Sequence, residues 1–507
     1  MNMTKSILFA FCTVAGGSFA ASCDNDRNEM RYEVIQVPDQ LFADGMTAAA
    51  TGGPQTFIVK SPAAVSVQVE KIDEDDDLKW IKAEVGDRTA DGSPVTVITE
   101  LNETRGPRSA RVSVFAGNVA RGMVVTQPTS APVVPAETPI NNVSATEIAK
   151  NIFAGVNIGN TLEAPDGEGS WCRPVTVSYI RGLKAAGFNA VRIPCAWNSH
   201  IQGKTTAEKA KNIIDPAWLD RVDEIVGWVI GEGMYAIVNI HWDGGWLEES
   251  CVNGYDADVD KKQSTFWTQI ANKLNHYDEH LLFAGMNEPG QQNQSAAGQQ
   301  QSVNAIMAYQ QTFVDAVRAT GGNNASRVLI HQTPFTNIDE GVRGLYKLPE
   351  DPVADRSMVE VHFYDPTDFT IMDKDNAWGG PNNPIKLYWG EANFVAGSDR
   401  NCTWHKEANI DAQFKKVQDA YVSKGVPAII GEYGVASNRN IDSMDVEKHK
   451  ASRAYWTEYV TRSAKAHGCV PFFWETGGDI DRNNGNQLNG YLFNALMNGA
   501  ANGIYPF

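Results

Sequence analysis

Two glutamates each stand at the end of a short apolar stretch of the sequence. Glu288 closes the stretch that begins at Phe283, and Glu432 closes the one that begins at Ala428. Both stretches are typical of buried strands. A carboxylate at the exit of a buried strand is costly unless it is paired or used, because burial penalises its charge. Two such carboxylates facing one cleft are the catalytic groups that a retaining or inverting glycosidase requires.

These glutamates belong to a repeating pattern of apolar and amphipathic segments over residues 142–507. Strands are predicted at Phe153–Ile158, Ala190–Pro194, Tyr235–His241, Leu281–Asn287, Arg327–His331, Met358–Tyr364, Ala428–Glu432 and Val470–Trp474. Helical patterns between them include Val175–Ala186, Pro216–Ile230, Val303–Ala319 and Ile410–Lys424. Eight strand–helix units predict an α/β fold, the (β/α)₈ TIM barrel. An open doubly wound sheet is disfavoured because no Gly-x-Gly-x-x-Gly follows the first strand.

The predicted strand ends carry an unusual number of polar and aromatic residues. In a TIM barrel the active site lies at the carboxyl ends of the strands. The residues there are Arg192, His241, Trp242, Asn287, Glu288, His362, Tyr364, Glu432 and Trp474. One isolated histidine would be explained as a satisfied core residue. Six strands contributing at the same level favour a catalytic site.

Together these segments resemble glycoside hydrolase family 5. The motifs are Arg192-Ile193-Pro194, Asn239-Ile240-His241, Asn287-Glu288-Pro289, His362-Phe363-Tyr364, Gly431-Glu432-Tyr433-Gly434 and Phe473-Trp474, and the opening segment 155–163 resembles the cellulase branch of the family. The resemblance implies a retaining, endo-acting β-1,4-glucanase of the cellulase type. Endo-xyloglucanase, mixed-linkage glucanase and β-mannanase activities are alternatives on the same scaffold. A glycan-binding surface lipoprotein without catalysis is a remote alternative, because such a protein would be expected to have lost part of this set.

The two glutamates are predicted to have different roles. Glu288 would be the general acid/base and must carry a proton to give to the leaving oxygen. Glu432 would be the nucleophile and must be ionised. Arg192 and Tyr364 are expected to hold Glu432 in that state through hydrogen bonds.

The remaining site residues are assigned to the sugar. Asn287 would bond the 2-hydroxyl, a contact that strengthens in the transition state. His241 and His362 would bind hydroxyls or steer the carboxylates, and Trp474 would form the floor beneath the sugar. Further tryptophans follow the strands in loops, at Trp171, Trp197, Trp242, Trp246, Trp378, Trp389 and Trp404. Sugar rings stack on indole, and Trp246, Trp378 and Trp242 are the candidates for substrate binding.

No metal or cofactor is predicted. His276 and His280 stand four residues apart, but they lack the glutamate of a zinc-protease helix.

The N-terminus is typical of an exported lipoprotein. Residues 1–22 carry an early lysine and an apolar run, and Ala20-Ala21-Ser22-Cys23 resembles a lipobox whose cysteine is lipidated. The following Asp24-Asn25-Asp26 resembles the surface-export signal of lipoproteins in the Bacteroidetes. We therefore expect a cell-surface lipoprotein anchored to the outer membrane at Cys23. Plain secretion or a periplasmic location is the alternative.

A smaller domain is predicted between the signal and the barrel. Short alternating runs between residues 31 and 127 indicate an all-β immunoglobulin-like sandwich, and the stretch 102–127 resembles a BACON domain. Such a module would be a spacer or a glycan contact. Residues 128–141 hold four prolines and are expected to form an extended linker.

Charge and cysteine content limit the partners. The net charge of −18 argues against nucleic acid and favours a neutral β-linked polysaccharide as substrate. We expect a monomer. Five cysteines lie beyond the signal and the lipobox, namely Cys172, Cys195, Cys251, Cys402 and Cys469. The number is odd, so one at least is unpaired, and a bridge among Cys172, Cys251 and Cys402 stays an open alternative.

Overall fold

The computed structural model describes residues 34–74, 76–104, 106–132, 138–291, 295–436, 441 and 444–507. The predicted signal and Cys23 lie outside these residues, as do residues 133–137 of the predicted linker. The chain divides into two compact units, one ending at Pro128 and one that contains Thr129–Phe507, with the short segment Glu103–Gly106 grouped in the second. Within the described ranges, no helix combines the length and apolarity needed to cross a membrane.

The first unit consists of two facing sheets and one short helix, α1 (Asp39–Asp44). Its strands are β1 (Met46–Thr47), β2 (Gly53–Val59), β3 (Val65–Lys71), β4 (Ile81–Val85), β5 (Ser93–Thr99), β6 (Arg108–Ala116) and β7 (Val119–Gln127). The sheets have the orders β1-β7-β6-β3 and β2-β5-β4. Alternate residues of β5, among them Val95 and Val97, are buried, as a strand with one core face requires. Its likeness to BACON modules stays a prediction.

The second unit is built on a closed barrel of eight parallel strands. These are β8 (Gly155–Ile158), β9 (Ala190–Ile193), β10 (Tyr235–Asn239), β11 (Leu281–Ala284), β12 (Leu329–Gln332), β13 (Ser357–His362), β14 (Ala428–Tyr433) and β15 (Cys469–Glu475). Each strand pairs with the next, and β15 closes on β8. The predicted (β/α)₈ fold is confirmed.

Helices lie before, between and after the strands along this unit. They are α2 (Ala145–Asn151), α3 (Val177–Ala185), α4 (Thr206–Lys209), α5 (Pro216–Gly231), α6 (Glu248–Val252), α7 (Ala257–Lys273), α8 (Ala296–Ala319), α9 (Ile338–Val342), α10 (Thr367–Thr370), α11 (Glu407–Ala420), α12 (Val446–Ala466) and α13 (Gly490–Asn502). In α5, Asp215 caps the first turn, Pro216 occupies the first helical position, and Val222, Ile225 and Val229 form the buried stripe.

Several strands end earlier than the sequence pattern predicted. His241, Asn287, Glu288 and Tyr364 lie just beyond the paired residues of their strands. The register also shifts in β13 between Val361 and His362, and in β14 after Ile430. Such irregularities re-aim side chains at the rim of a barrel. Some predicted site residues, such as Arg192 and Glu432, thus lie within the strands, whereas His241, Asn287, Glu288 and Tyr364 follow them.

Candidate active site

Glu432 lies on β14 with its carboxylate almost fully buried. One oxygen, Oε1, accepts from Nη1 of Arg192 at 3.1 Å, and the other, Oε2, accepts from the hydroxyl of Tyr364 at 3.0 Å. Burial raises the pKa of Glu432 above its usual value, and the cations of His362 and Arg192 work against that rise. Both partners predicted from the sequence are in contact with this carboxylate.

Arg192 is the buried cation at the centre of the site. Its side chain is fully buried on β9. Besides Glu432, the guanidinium donates to Oδ1 of Asn157 at 2.9 Å and to Oδ1 of Asn287 at 2.8 Å, and it lies 3.0 Å from Oε1 of Glu360. A guanidinium offers five donors in a rigid plane, so it can fix four partners at once. Arg192 thereby fixes the positions of these four side chains relative to one another.

Glu288 faces Glu432 from the end of β11 and is more exposed. About 35% of its side chain is accessible, against 8% for Glu432. Its backbone N–H donates to Oε1 of Glu248 at 2.7 Å, which fixes the chain at this point. Glu248 on α6 is itself buried, and burial raises its pKa to about 7.

His362 lies between the two glutamates. Its Nδ1 is 2.8 Å from Oε1 of Glu288 and 3.7 Å from Oε2 of Glu432, and its Nε2 is 3.1 Å from Oε1 of Glu360. Burial disfavours the imidazolium, but the three surrounding carboxylates outweigh it and raise the pKa of His362 to about 10. His362 is therefore a cation at neutral pH.

The pKa of His241 is lowered, whereas that of His362 is raised. It is buried after β10, and burial, together with the cations of Arg192 and His362, holds its pKa well below the usual value. Its Nδ1 lies 3.3 Å from the side-chain nitrogen of Asn239, and its ring stacks on Trp474 with centroids 5.8 Å apart and planes at 13°. A neutral His241 can both donate to and accept from a sugar hydroxyl.

The two carboxylates share one small volume. A carboxyl oxygen of Glu288, a ring nitrogen of His362 and a carboxyl oxygen of Glu432 all lie within 4.8 Å of one another. Among the described residues, these three side chains are also the group whose spacing could hold a metal ion. Nδ1 of His362 already faces two carboxylates as the donor of an imidazolium, so the trio fits acid–base chemistry better than metal ligation.

An open cleft gives access to these groups. A cavity of about 460 Å³ is lined by Glu288, Glu432, His362, Tyr364 and Trp474, together with the loops after β12 and β13. A neighbouring cavity of about 290 Å³ shares Tyr364, Ile371 and Trp474 with it. Phe335 and Thr336 line the first cavity with backbone φ angles of 54° and 47°. Such a strained pair of non-glycine residues is common at functional sites.

Residues 154–479 match the protein-family model described as cellulase (glycosyl hydrolase family 5). The chain belongs to glycoside hydrolase family 5. The match covers the whole barrel up to the loop after β15, including every residue of the cluster described above.

Family 5 relatives extend over most of the chain. A xyloglucan-specific endo-beta-1,4-glucanase of Bacteroides ovatus is 32% identical and covers 95% of this chain and 94% of that protein. A xyloglucan-specific beta-1,4-glucanase from a ruminal metagenomic library, solved with XXLG, is 38% identical with a TM-score of 0.63, over 72% of this chain and 98% of that one. A broad-specificity endoglucanase from Bacteroides salanitronis is 32% identical with a TM-score of 0.61, over 72% and 97%. The protein is thus a glycosidase of the endoglucanase kind.

The four tryptophans predicted to bind substrate in this family 5 barrel differ in how exposed they are. Trp474 lines both cavities, and Trp242 and Trp378 are 41% and 43% exposed. Trp246 is half-buried, since its indole N–H donates to Asp243 at 2.9 Å and its ring packs against Phe266 and Lys262. Stacking of sugars on these four residues stays a prediction.

Two of the tryptophans that the sequence analysis assigned to loops are core residues. Trp197 and Trp389 are fully buried. The indole N–H of Trp197 donates to the backbone oxygen of Asn239. Neither ring is available to a sugar.

No disulfide bridge joins Cys172, Cys251 and Cys402 in this structure. All five cysteines lie in the part of the chain that the structure describes, and each is a free thiol. Cys251 and Cys402 are buried in the packing around the barrel, while Cys172 is half-buried with its thiol donating to the backbone oxygen of Thr476 at 2.9 Å.

Sequence reasoning missed three residues of the cluster, Glu360, Glu248 and Asn157. Glu360 stands two positions before His362 on β13, so it shares a strand face with a predicted site residue, which is a usable signal. Asn157 lies within the opening motif of the cellulase branch but was given no role. Glu248 lies on a helix after β10 and carries no local signal.

Proposed function

We propose that the protein is a retaining endo-β-1,4-glucanase in which Glu288 is the general acid/base and Glu432 the nucleophile. The observation that carries this proposal is the pair of carboxylates whose oxygens lie within 4.8 Å of each other in an open cleft. Retaining enzymes hold their carboxyl groups roughly 5–5.5 Å apart, whereas inverting enzymes leave roughly 6.5–9.5 Å for a water molecule.

The burial of each group suits its role. Glu432 is buried and bonded through both oxygens, so it is oriented as a nucleophile toward the anomeric carbon. Glu288 is the more accessible of the two, as a group that must meet first a leaving oxygen and then water. Trp474 lies beside both in the cleft and offers an apolar floor.

The reaction would proceed in two displacements. Glu288 gives its proton to the glycosidic oxygen while Glu432 attacks the anomeric carbon, and the leaving chain departs as an alcohol. A covalent glycosyl ester on Glu432 results. Glu288, now ionised, takes a proton from water, whose oxygen displaces Glu432 and restores both groups.

For the substrate we propose a β-1,4-glucan backbone that carries xylose branches. Support comes from the xyloglucan-specific relatives, one of them similar over nearly the whole chain. A second candidate is a broader activity on unbranched and mixed-linkage glucans, supported by the broad-specificity relative. The sequence alone favoured the cellulose type.

Initial rates on xyloglucan, carboxymethyl cellulose, lichenan and mannan test the substrate. The proposal expects the highest kcat/KM on xyloglucan. A higher value on carboxymethyl cellulose or lichenan would favour the second candidate, and a preference for mannan would refute both. Glu432→Ala, prepared in parallel, controls for contaminating glycosidases.

Proton NMR of the earliest product tests the mechanism separately. Retention gives the β-anomer first. Initial release of the α-anomer from any β-glucan would refute the assigned roles whatever the preferred backbone.

We also propose that the enzyme acts as a monomer anchored to the outer membrane through Cys23. The lipobox and the acidic triplet after it support this location. The domain limits of residues 31–127, 128–141 and 142–507 are proposed with it, and the first unit is proposed to be a spacer that holds the enzyme away from the membrane.

A further inference from the structure

A third carboxylate lies beneath the two proposed catalytic ones. Glu360 on β13 is fully buried, and its oxygens have three partners. Oε1 lies 3.0 Å from Nη2 of Arg192 and 3.1 Å from Nε2 of His362, and Oε2 accepts from the side-chain nitrogen of Gln332 at 2.6 Å. Burial works against its charge, but Arg192 and His362 hold the pKa of Glu360 below its usual value. Glu360 is therefore an ionised acceptor with no route to the substrate.

An ionised Glu360 keeps the Nε2 of His362 protonated. Because Oε1 of Glu360 can only accept, the Nε2 that faces it must be protonated. The other ring nitrogen, Nδ1, lies 2.8 Å from Oε1 of Glu288. A buried carboxylate that fixes the tautomer of an imidazole and stabilises its cation is the arrangement known from the catalytic triad.

The titratable and charged groups around His362 come from several strands of the barrel. Glu288 follows β11, Glu432 lies on β14, and Glu360 lies on β13. On the other side are the cation Arg192 on β9 and the neutral His241 after β10, whose pKa His362 itself lowers. Tyr364 donates to Glu432 and stays protonated, because burial raises its pKa well above the usual value.

We propose that Glu360 is a positioning residue for the acid/base. By accepting the Nε2 proton of His362, it leaves the Nδ1 proton directed at Oε1 of Glu288, so that Oε2 carries the proton given to the leaving group. Without Glu360, a neutral His362 accepts the Glu288 proton at Nδ1 and withholds it from the substrate. This inference rests on the acid/base role proposed above for Glu288.

The surroundings of Glu360 are built for a carboxylate. A Cβ at Gly431 would stand 2.6 Å from the Glu360 carboxyl carbon, so the glycine leaves the space that Glu360 occupies. Gln332 accepts from the backbone N–H of Met286 with its Oε1 and donates to Glu360 with its Nε2. Glu360→Gln would therefore place two amide nitrogens against each other.

The exchange variant Glu360→Gln/Gln332→Glu repairs that defect. One oxygen of the carboxylate introduced at position 332 would still accept from Met286, and its other oxygen would accept from the new amide at position 360. The hydrogen bonds are kept, but the negative charge moves away from His362 and Arg192. Comparing the single with the exchange variant separates folding from charge placement.

The test measures kcat/KM on aryl β-cellobiosides whose phenols differ in acidity. In both variants we expect kcat/KM to fall about tenfold with the poorest leaving group and to change little with dinitrophenol. The tenfold loss is a tenth or less of the factor that general acid catalysis commonly contributes. The alkaline limb of the pH profile should move to lower pH by about one unit, because a negative charge has been removed from the cluster. An equal loss on all leaving groups with an unmoved profile would overturn the proposal.

Two controls keep the result interpretable. Glu288→Ala should show an even steeper dependence on the leaving group; if it does not, the acid/base role itself fails, independently of Glu360. In the unaltered enzyme, ¹⁵N-histidine NMR at neutral pH should show both ring nitrogens of His362 protonated, with the signal identified by its loss in His362→Asn. An unprotonated Nε2 would overturn the proposal even if neither variant at position 360 folds.

Discussion

The hydroxyl of Tyr364 offers a sharp test of how Glu432 is kept ionised. In Tyr364→Phe one oxygen of Glu432 loses its donor at 3.0 Å, while the other keeps Arg192 at 3.1 Å. A hydrogen bond to a charged group contributes about 1.5–3 kcal/mol, and one pKa unit corresponds to about 1.36 kcal/mol. The pKa of Glu432 should therefore rise by about one to two units. We expect the lower end, because His362 and Arg192 do more than Tyr364 to favour the ionised form.

The ionisation of Glu432 sets the acidic limb of the pH profile. The nucleophile works only when ionised, so a higher pKa of Glu432 moves the acidic limb of the kcat/KM profile to higher pH, by about one unit. The profile is measured on a soluble glucan for the unaltered enzyme and the variant. Tyr433→Phe is the matched control. Tyr433 is the residue next to Glu432, and its buried hydroxyl is hydrogen-bonded to Thr461 at 2.7 Å instead of to the carboxylate. An unmoved limb in Tyr364→Phe, or the same shift in both variants, would refute the reasoning.

Three further predictions concern the carboxylates, the imidazole and the N-terminus. Azide should rescue Glu288→Ala on activated aryl glycosides with a β-azide product and Glu432→Ala with an α-azide product; swapped products would reverse the roles. Folding stability should fall as pH rises from the ordinary histidine range toward about 10, because folded His362 keeps a proton that the unfolded chain loses. This slope, measured by urea denaturation, should flatten in His362→Asn. Cys23→Ala should release active enzyme from the membrane fraction, and unchanged retention there would contradict lipidation.

The barrel could be predicted, and with it the clustering of the main candidate residues, because both depend on local patterns. A buried parallel strand is a short apolar run, and its polar terminator marks the rim of the barrel. Glu288 and Glu432 stand out on that basis alone, and the structure brings them together with Arg192, His362 and Tyr364. What these patterns could not fix was where pairing ends, because the register shifts depend on neighbouring strands.

The partners that lie deeper in the site escaped prediction for a different reason. Glu360 lies inside β13, two positions before its end, so a search confined to the polar residues at strand ends passed over it. Glu248 reaches the backbone of Glu288 from a helix 40 positions earlier, a contact that only the closed barrel creates. The tryptophans are equivalent in the sequence, and only packing shows that Trp197 is core and Trp242 is exposed.

The missing side chain at Gly431 has a consequence for how this sequence can change over generations. Any larger residue there collides with Glu360, so the two positions cannot be altered in arbitrary order. A lineage that shortens residue 360 first can later accept alanine at 431, whereas the reverse order passes through an overcrowded intermediate. Positions 360 and 431 should therefore vary together among descendants of this enzyme. Once residue 431 has gained a side chain, glutamate can no longer be accommodated at position 360.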